Sequence, residues 1–150
     1  MKVKASHRLS VHMIHGPSRR LTWDGLRVFD VVMTTYGTLG AEFRRLEKWL
    51  SDQKEAGHEK DYDQSQMTKL FPLLGPKSLF YRVILDEAQC IKTKTTLAAR
   101  GACGLKALTR FCLTGTPMMN NVTELYSLIH FLRIKPYNSW PTFSEARPIS

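Results

Sequence analysis

The sequence predicts an α/β fold, a mostly parallel sheet flanked by helices, and three observations lead there. Short apolar, β-branched runs alternate with stretches of helical periodicity, the pattern that βαβ crossovers produce. Those runs are apolar on successive residues, as strands covered on both faces should be. One of them, Val83-Ile84-Leu85, leads directly into two adjacent carboxylates, Asp86 and Glu87. The carboxyl ends of parallel strands are where open α/β sheets bind their ligands.

Taken in order, Leu9–Ile14 reads as a short strand closed by His15-Gly16-Pro17. Val28–Thr34, apolar on both faces, is the second. Leu39, Phe43, Leu46 and Leu50 then recur at helical spacing, with Arg44, Arg45, Glu47 and Lys48 opposite. Gly37 is placed to turn into that helix and Thr38 to cap it. Residues 51–78 change character and read as a polar surface insertion, with Met67–Leu74 a short helical turn packing back.

Phe80–Leu85 is the clearest strand. Thr96–Leu108 is expected to be helical through Leu97, Leu105 and Leu108, although Gly101 and Gly104 each weaken it by about 1 kcal/mol relative to Ala. Arg110–Leu113 is a further strand. It delivers Thr114-Gly115-Thr116-Pro117 to the sheet edge that carries Asp86. Asn121 and Glu124 open the last helix as a cap-like pair, with Leu125, Leu128, Ile129 and Leu132 as its buried stripe and Pro136 as its stop.

Composition narrows the class. With 150 residues and 43% hydrophobic content, the chain suits one domain with a real core. No apolar run approaches the roughly 18 residues that span a bilayer, and MKVKASHRLS lacks the apolar centre of a signal peptide. A soluble intracellular protein with no membrane partner is expected. Cys90, Cys103 and Cys112 show no CxxC spacing, so free thiols are expected rather than disulfides or a zinc site. His12 and His15 fall on opposite faces of a strand and make poor partners for one metal.

The net charge of +9 is unevenly spread. Nine Lys and Arg against four Asp and Glu give +5 both in residues 1–50 and in residues 79–150, whereas the stretch between them is nearly neutral. Such an excess suits a polyanionic partner, and equally an ordinary solvated basic surface.

The runs YRVILDEAQ and RFCLTGTPMMNN resemble motifs II and III of SWI/SNF-related, superfamily-two helicase-like ATPases, the DNA-repair and SUMO-targeted translocase branch in particular. VHMIHGPSRR and DVVMTTYGTL upstream, and ELYSLIHFLRIKPYNSW downstream, extend the resemblance over nearly the whole chain. It implies part of a RecA-like, ATP-binding lobe, and roles for individual residues. Asp86 would hold Mg²⁺ through its water shell, Glu87 would orient the attacking water, and Gln89 stands where the family's DEAH form has His. A neutral amide keeps a donor and an acceptor, so a hydrogen bond to Thr114 or Thr116 would preserve coupling between the motifs. Thr114, Gly115 and Thr116 would link the nucleotide site to the nucleic-acid groove. Thr34, Thr35 and Tyr36, with His15, Gly16, Arg19 and Arg20, would contact a DNA backbone, which positions a strand without reading its sequence.

No GxxxxGK[ST] phosphate loop occurs among the 150 residues. The leading expectation is therefore an incomplete RecA-like lobe of a DNA-dependent ATPase or translocase, of the repair or chromatin-remodelling type and nuclear. ATP and Mg²⁺ would serve the complete protein, with double-stranded DNA or chromatin as partner and a second RecA-like lobe elsewhere. Losing three charge-assisted phosphate contacts weakens ATP binding by roughly three to six orders of magnitude, so the chain alone is expected to be inactive. A non-catalytic DNA- or protein-binding remnant of such a lobe is the alternative. A small enzyme using Asp86 and Glu87 on another ligand is the third reading.

Overall fold

Parallel strand pairing is the organising feature of the structure, a computed structural model that describes residues 8–16, 21–57, 62–115 and 122–146. It occurs twice, once in each of two compact units, Met1–Ser78 and Leu79–Ser150.

In the first unit, β1 (Val11–Ile14) lies parallel to β2 (Val31–Thr34), with Val11 opposite Val31 and Ile14 opposite Thr34. A side-chain clamp fixes the start of both strands. Asp30 Oδ2 accepts from the Ser10 amide at 2.8 Å and from the Ser10 hydroxyl at 2.7 Å, and the Asp30 amide donates back to that hydroxyl. The backbone hydrogen bond from Ser10, with that from its hydroxyl, holds the Asp30 carboxyl below its ordinary range. The short helix α1 (Trp23–Leu26) buries Leu26 completely.

Helix α2 runs from Tyr36 to Glu55, well past the Leu50 at which the apolar stripe fades. Its cap is Thr35 rather than Thr38: the Thr35 hydroxyl accepts from the Thr38 amide at 3.1 Å. Leu39 and Leu46 are buried as the periodicity requires, and Glu42, between them on the same face, is buried too. Its Oε1 accepts from the amides of Leu73 and Leu74 at 2.8 and 3.0 Å. Arg45 Nη2 lies 3.9 Å from Glu42 Oε2. A buried carboxylate is tolerated because hydrogen-bond donors meet it.

This contact corrects the reading of residues 51–78 as a surface loop. Their first part continues α2, and α3 (Gln64–Leu70) is capped by Asp63. Phe71, Leu73 and Leu74 are among the most buried residues of the unit, so the packing-back of Met67–Leu74 is its main feature. The sequence disguises this because Pro72, Gly75 and Pro76 read as loop punctuation. Gly75 is there for space: a Cβ would stand 2.7 Å from the Phe71 carbonyl oxygen and 2.8 Å from Thr68 Cα.

In the second unit, β3 (Leu79–Leu85) pairs in parallel with β4 (Lys106–Cys112), Leu85 opposite Cys112. Between them come a 3₁₀ turn (Ala88–Ile91) and helix α4 (Leu97–Gly104), capped by Thr96. The helix is shorter than its pattern predicts. Leu105 is buried outside the helix, and Leu108 lies on β4 with 66% of its surface exposed. The helix ends at Gly104, while Gly101 lies buried within it.

Helix α5 (Val122–Leu132) packs against β4 and α4, and α6 (Trp140–Glu145) follows. Its buried stripe is Tyr126, Ser127, Leu128 and Phe131, rotated from the expected one, and Leu125 is exposed. Ser127 is accommodated because its hydroxyl donates to the Lys92 carbonyl at 2.8 Å. The helix stops at Leu132, ahead of Pro136, where Arg133 takes the left-handed conformation. The expected Asn121 cap lies outside the described residues.

Both sheets are less covered than their apolar sequences predict. Val83 and Leu85 are buried, but Ile84 and its cross-strand partner Phe111 on the other face are 55% and 46% exposed. Val28 and Met33 are likewise exposed. The three cysteines are free thiols; Cys90 is exposed, and burial pushes the Cys112 thiol up to about 11. No helix is long and apolar enough to cross a membrane among the described residues.

Two outcomes follow from this packing. Glu42→Ala strips two buried amides of their acceptor and should lower unfolding free energy by about 3 kcal/mol in urea titration, with Glu42→Gln recovering part of it. Thiol labelling near pH 8 should modify Cys90 first and Cys112 last, because a raised pKa leaves roughly one Cys112 in a thousand ionised there; raising the pH should speed Cys112 most.

Candidate functional site

The edge of the second unit gathers Asp86, Glu87, Gln89, Thr114 and Gly115. Parallel register sets it up. Leu85 and Cys112 end their strands side by side, and the pairing continues beyond them. The Leu113 amide donates to the Leu85 carbonyl at 2.8 Å, and the Ala88 amide donates to the Leu113 carbonyl at 2.9 Å. Asp86-Glu87 and Thr114-Gly115 are therefore carried out of one sheet edge on neighbouring loops.

Asp86 and Glu87 are both exposed there. Asp86 Oδ1 accepts from the Glu87 amide at 3.0 Å, which turns the chain sharply. Glu87 itself sits in the left-handed region at φ 48° and ψ 52°. That conformation costs a non-glycine residue on the order of 1–2 kcal/mol and tends to mark functional loops.

Gln89 joins the two loops. Its Nε2 donates to Glu87 Oε2, and its Oε1 accepts from the Thr114 hydroxyl at 2.8 Å. The hydrogen bond expected between Gln89 and Thr114 is thus present, and the same amide also steadies the Glu87 carboxylate. A histidine in this place would need one defined tautomer to do both, whereas an amide always carries a donor and an acceptor. Gly115 follows in an exposed bend with nothing near its missing Cβ. Thr116 lies outside the described residues.

The first unit assembles the other predicted group at the carboxyl ends of β1 and β2. His15 and Gly16 follow Ile14, and Thr34, Thr35 and Tyr36 lie at the matching end of β2. Gly16 has φ +67°, so the turn there requires a residue at ease in the left-handed region. The threonine hydroxyls are already engaged. Thr34 donates to the Ile14 carbonyl at 3.2 Å, and Thr35 donates to Thr38 Oγ1 at 3.0 Å while capping α2. Arg19 and Arg20 lie outside the described residues.

His12 stacks on Phe29 at 4.8 Å, a packing role. No group of three or more His, Cys, Asp or Glu is arranged to hold a metal among the described residues. What the sequence did not single out is the cluster of Lys94, Tyr126, His130 and Trp140 in the second unit.

Comparison with known proteins gives the chain a family. The model of the SNF2-related domain matches residues 2–149. DNA repair protein RAD5A of Arabidopsis thaliana is 39% identical over 137 residues, 91% of this chain and 11% of the relative. ATP-dependent helicase ULS1 of Saccharomyces cerevisiae is 35% identical over 128 residues, 81% of this chain and 8% of the relative. An ATP-dependent helicase of Schizosaccharomyces pombe reaches 44% over 145 residues, 96% of this chain and 13% of its own length. The chain thus spans a small part of the relatives that it matches. Among solved structures, the Sulfolobus solfataricus SWI2/SNF2 ATPase core in complex with double-stranded DNA superposes with a TM-score of 0.57, at 25% identity, over 94% of this chain and 23% of that one. A parallel α/β frame that carries Asp86-Glu87 and Leu113-Thr114-Gly115 to one sheet edge, and a family match over almost every residue, place this chain in the SNF2-related family of helicase-like ATPases.

Proposed function

We propose that these residues form part of the ATP-binding lobe of a DNA-dependent translocase of the repair or remodelling type, acting in the nucleus. The observation that carries this reading is the Glu87–Gln89–Thr114 chain of hydrogen bonds. It ties the carboxylate suited to activating water to the loop suited to sensing nucleic acid.

The donor set fits Mg²⁺, a hard cation that takes oxygen ligands and keeps most of its waters. Asp86, an exposed strand-end carboxylate, would hold it, and the ion when bound would supply charge stabilisation to the transferring phosphoryl group. Glu87 would orient and polarise water at its carboxylate. Gln89 restrains Glu87 through one end of its amide. Through the other end it transmits the position of Thr114. A shift of the Thr114 loop would then move Glu87, which is how DNA contact would raise turnover.

DNA contact by the first unit would be non-specific and salt-dependent, with a dissociation constant of roughly 10⁻⁴–10⁻⁶ M at physiological salt. The +9 net charge supports it. Residues 1–150 carry no phosphate loop, so by themselves they would bind ATP too weakly to turn it over.

Two expectations expose this reading. The purified 150-residue chain should show no ATP hydrolysis with or without duplex DNA; DNA-stimulated phosphate release abolished by Glu87→Gln would refute it. In the complete ATPase, Asp86→Asn and Glu87→Gln should each remove turnover while leaving the thermal melt unchanged. Gln89→Ala should lower the DNA-stimulated rate more than the basal one. Wild-type turnover in either acid variant would sink the assignment.

A further inference from the structure

The turn that carries Gln89 depends on its surroundings for its position. It is a single 3₁₀ turn of four residues, Ala88–Ile91, a geometry whose own hydrogen bonds are poor. It follows Glu87, whose left-handed backbone persists only where neighbouring structure imposes it. The turn is tied at both ends. At its start the Ala88 amide donates to the Leu113 carbonyl at 2.9 Å. At its end the Ser127 hydroxyl of α5 donates to the Lys92 carbonyl at 2.8 Å.

Lys92 relays that second tie through its backbone. Its amide donates to the Gln89 carbonyl at 3.1 Å, so Ser127 stands two hydrogen bonds from the Gln89 main chain. Ser127 is 2% exposed, and a hydrogen bond shielded from water holds its geometry without competition. The Thr123 carbonyl, its alternative acceptor within α5, is farther away at 3.4 Å. The neighbouring Lys92–Glu124 ion pair is weaker support: the charges are 4.0 Å apart and the Lys92 side chain is 56% exposed. Ala88 and Ile91 are fully buried beneath the turn, but apolar contact is non-directional and does not fix a register.

We propose that Ser127 is a positioning residue for DNA-stimulated turnover: its bond to the Lys92 carbonyl holds the 3₁₀ turn where Gln89 reaches both Glu87 and Thr114. This role rests on the reading of Gln89 as the link between those two loops. Without the tie, Asp86 and Glu87 stay at the sheet edge, because β3 delivers them there. The 2.8 Å fit of Gln89 to Thr114 is what suffers, since a hydrogen bond weakens steeply with misalignment.

The test is turnover by the complete ATPase, with and without duplex DNA, for Ser127→Ala, Gln89→Ala and the pair. Alanine is the best helix former, so Ser127→Ala keeps α5. It should lower the DNA-stimulated kcat about fivefold, the scale of one hydrogen bond. Basal turnover and the KM for ATP should stay unchanged, and the substitution should add little once Gln89 is replaced. Ser127→Thr, which keeps the donor, should retain most of the stimulated rate. Ser144→Ala, which removes a hydroxyl-to-carbonyl bond of the same 2.8 Å length from α6, should leave it unchanged. Full stimulation in Ser127→Ala beside an impaired Gln89→Ala would overturn this inference alone. An unimpaired Gln89→Ala would overturn the underlying reading with it. Equal losses of basal and stimulated turnover, or additivity in the pair, would make the hydroxyl a fold stabiliser only and would overturn the positioning role. Were Ser127→Ala to melt below the assay temperature, Ser127→Thr would decide: stimulated turnover supports the role and its loss overturns it.

Discussion

The candidate site depends on one constraint, the parallel register of β3 and β4. Because Leu85 stands opposite Cys112, the two loops that follow emerge from the sheet edge together. Backbone hydrogen bonds from Leu113 to Leu85 and from Ala88 to Leu113 carry the pairing past the regular strands. A register slip by one residue would send Val83 and Leu85 to the opposite face and separate Gln89 from Thr114. The alternating burial of Val83, Ile84 and Leu85 therefore does more than build a core. It fixes the spacing across which a single glutamine side chain reaches two loops.

Glu42 and Ser127, both buried, and Asp30, exposed, do architectural work through their hydrogen bonds. Glu42 holds the segment after α3 against α2, Ser127 ties α5 to the chain that follows the 3₁₀ turn, and Asp30 clamps the two strands of the first unit. Each joins elements distant in sequence. Arg110 and Arg45 are less well served: the Arg110 guanidinium donates to the Leu105 carbonyl and lies over the Phe131 ring, while its Nε and Nη1, like the Arg45 Nε, are buried without an acceptor. Desolvation, with Arg133 also nearby, lowers the Arg110 pKa.

Much of this was legible in the sequence, and the reasons for success and failure are specific. The strands ending at Ile14, Thr34 and Leu85 were readable because β-branched runs end at recognisable turns. The Gln89–Thr114 contact was among the two that the resemblance to motifs II and III implied, a hydrogen bond to Thr114 or Thr116. The extent of α2 was not readable, because its last turns are polar on every face and periodicity has nothing to report there. Glu42 sat on the apolar stripe between Leu39 and Leu46, and a charged residue at that position was the available signal for a buried contact. The rotated stripe of α5 escaped notice because Ser127 looks solvent-facing until its hydroxyl finds the Lys92 carbonyl. Strand exposure was misjudged because an apolar run reports affinity for a neighbour without reporting how much of it is covered.

The central claim is that Gln89 couples the Glu87 loop to the Thr114 loop, and a double-mutant cycle measures that coupling directly. Gln89→Ala, Thr114→Val and the pair would be introduced into the complete ATPase, and DNA-stimulated turnover compared for all four proteins. The account predicts that the second substitution does little once the first is made, with a coupling energy of about 1 kcal/mol, the size of one hydrogen bond. Additivity within about 0.3 kcal/mol would mean that the two residues act separately, and would contradict it.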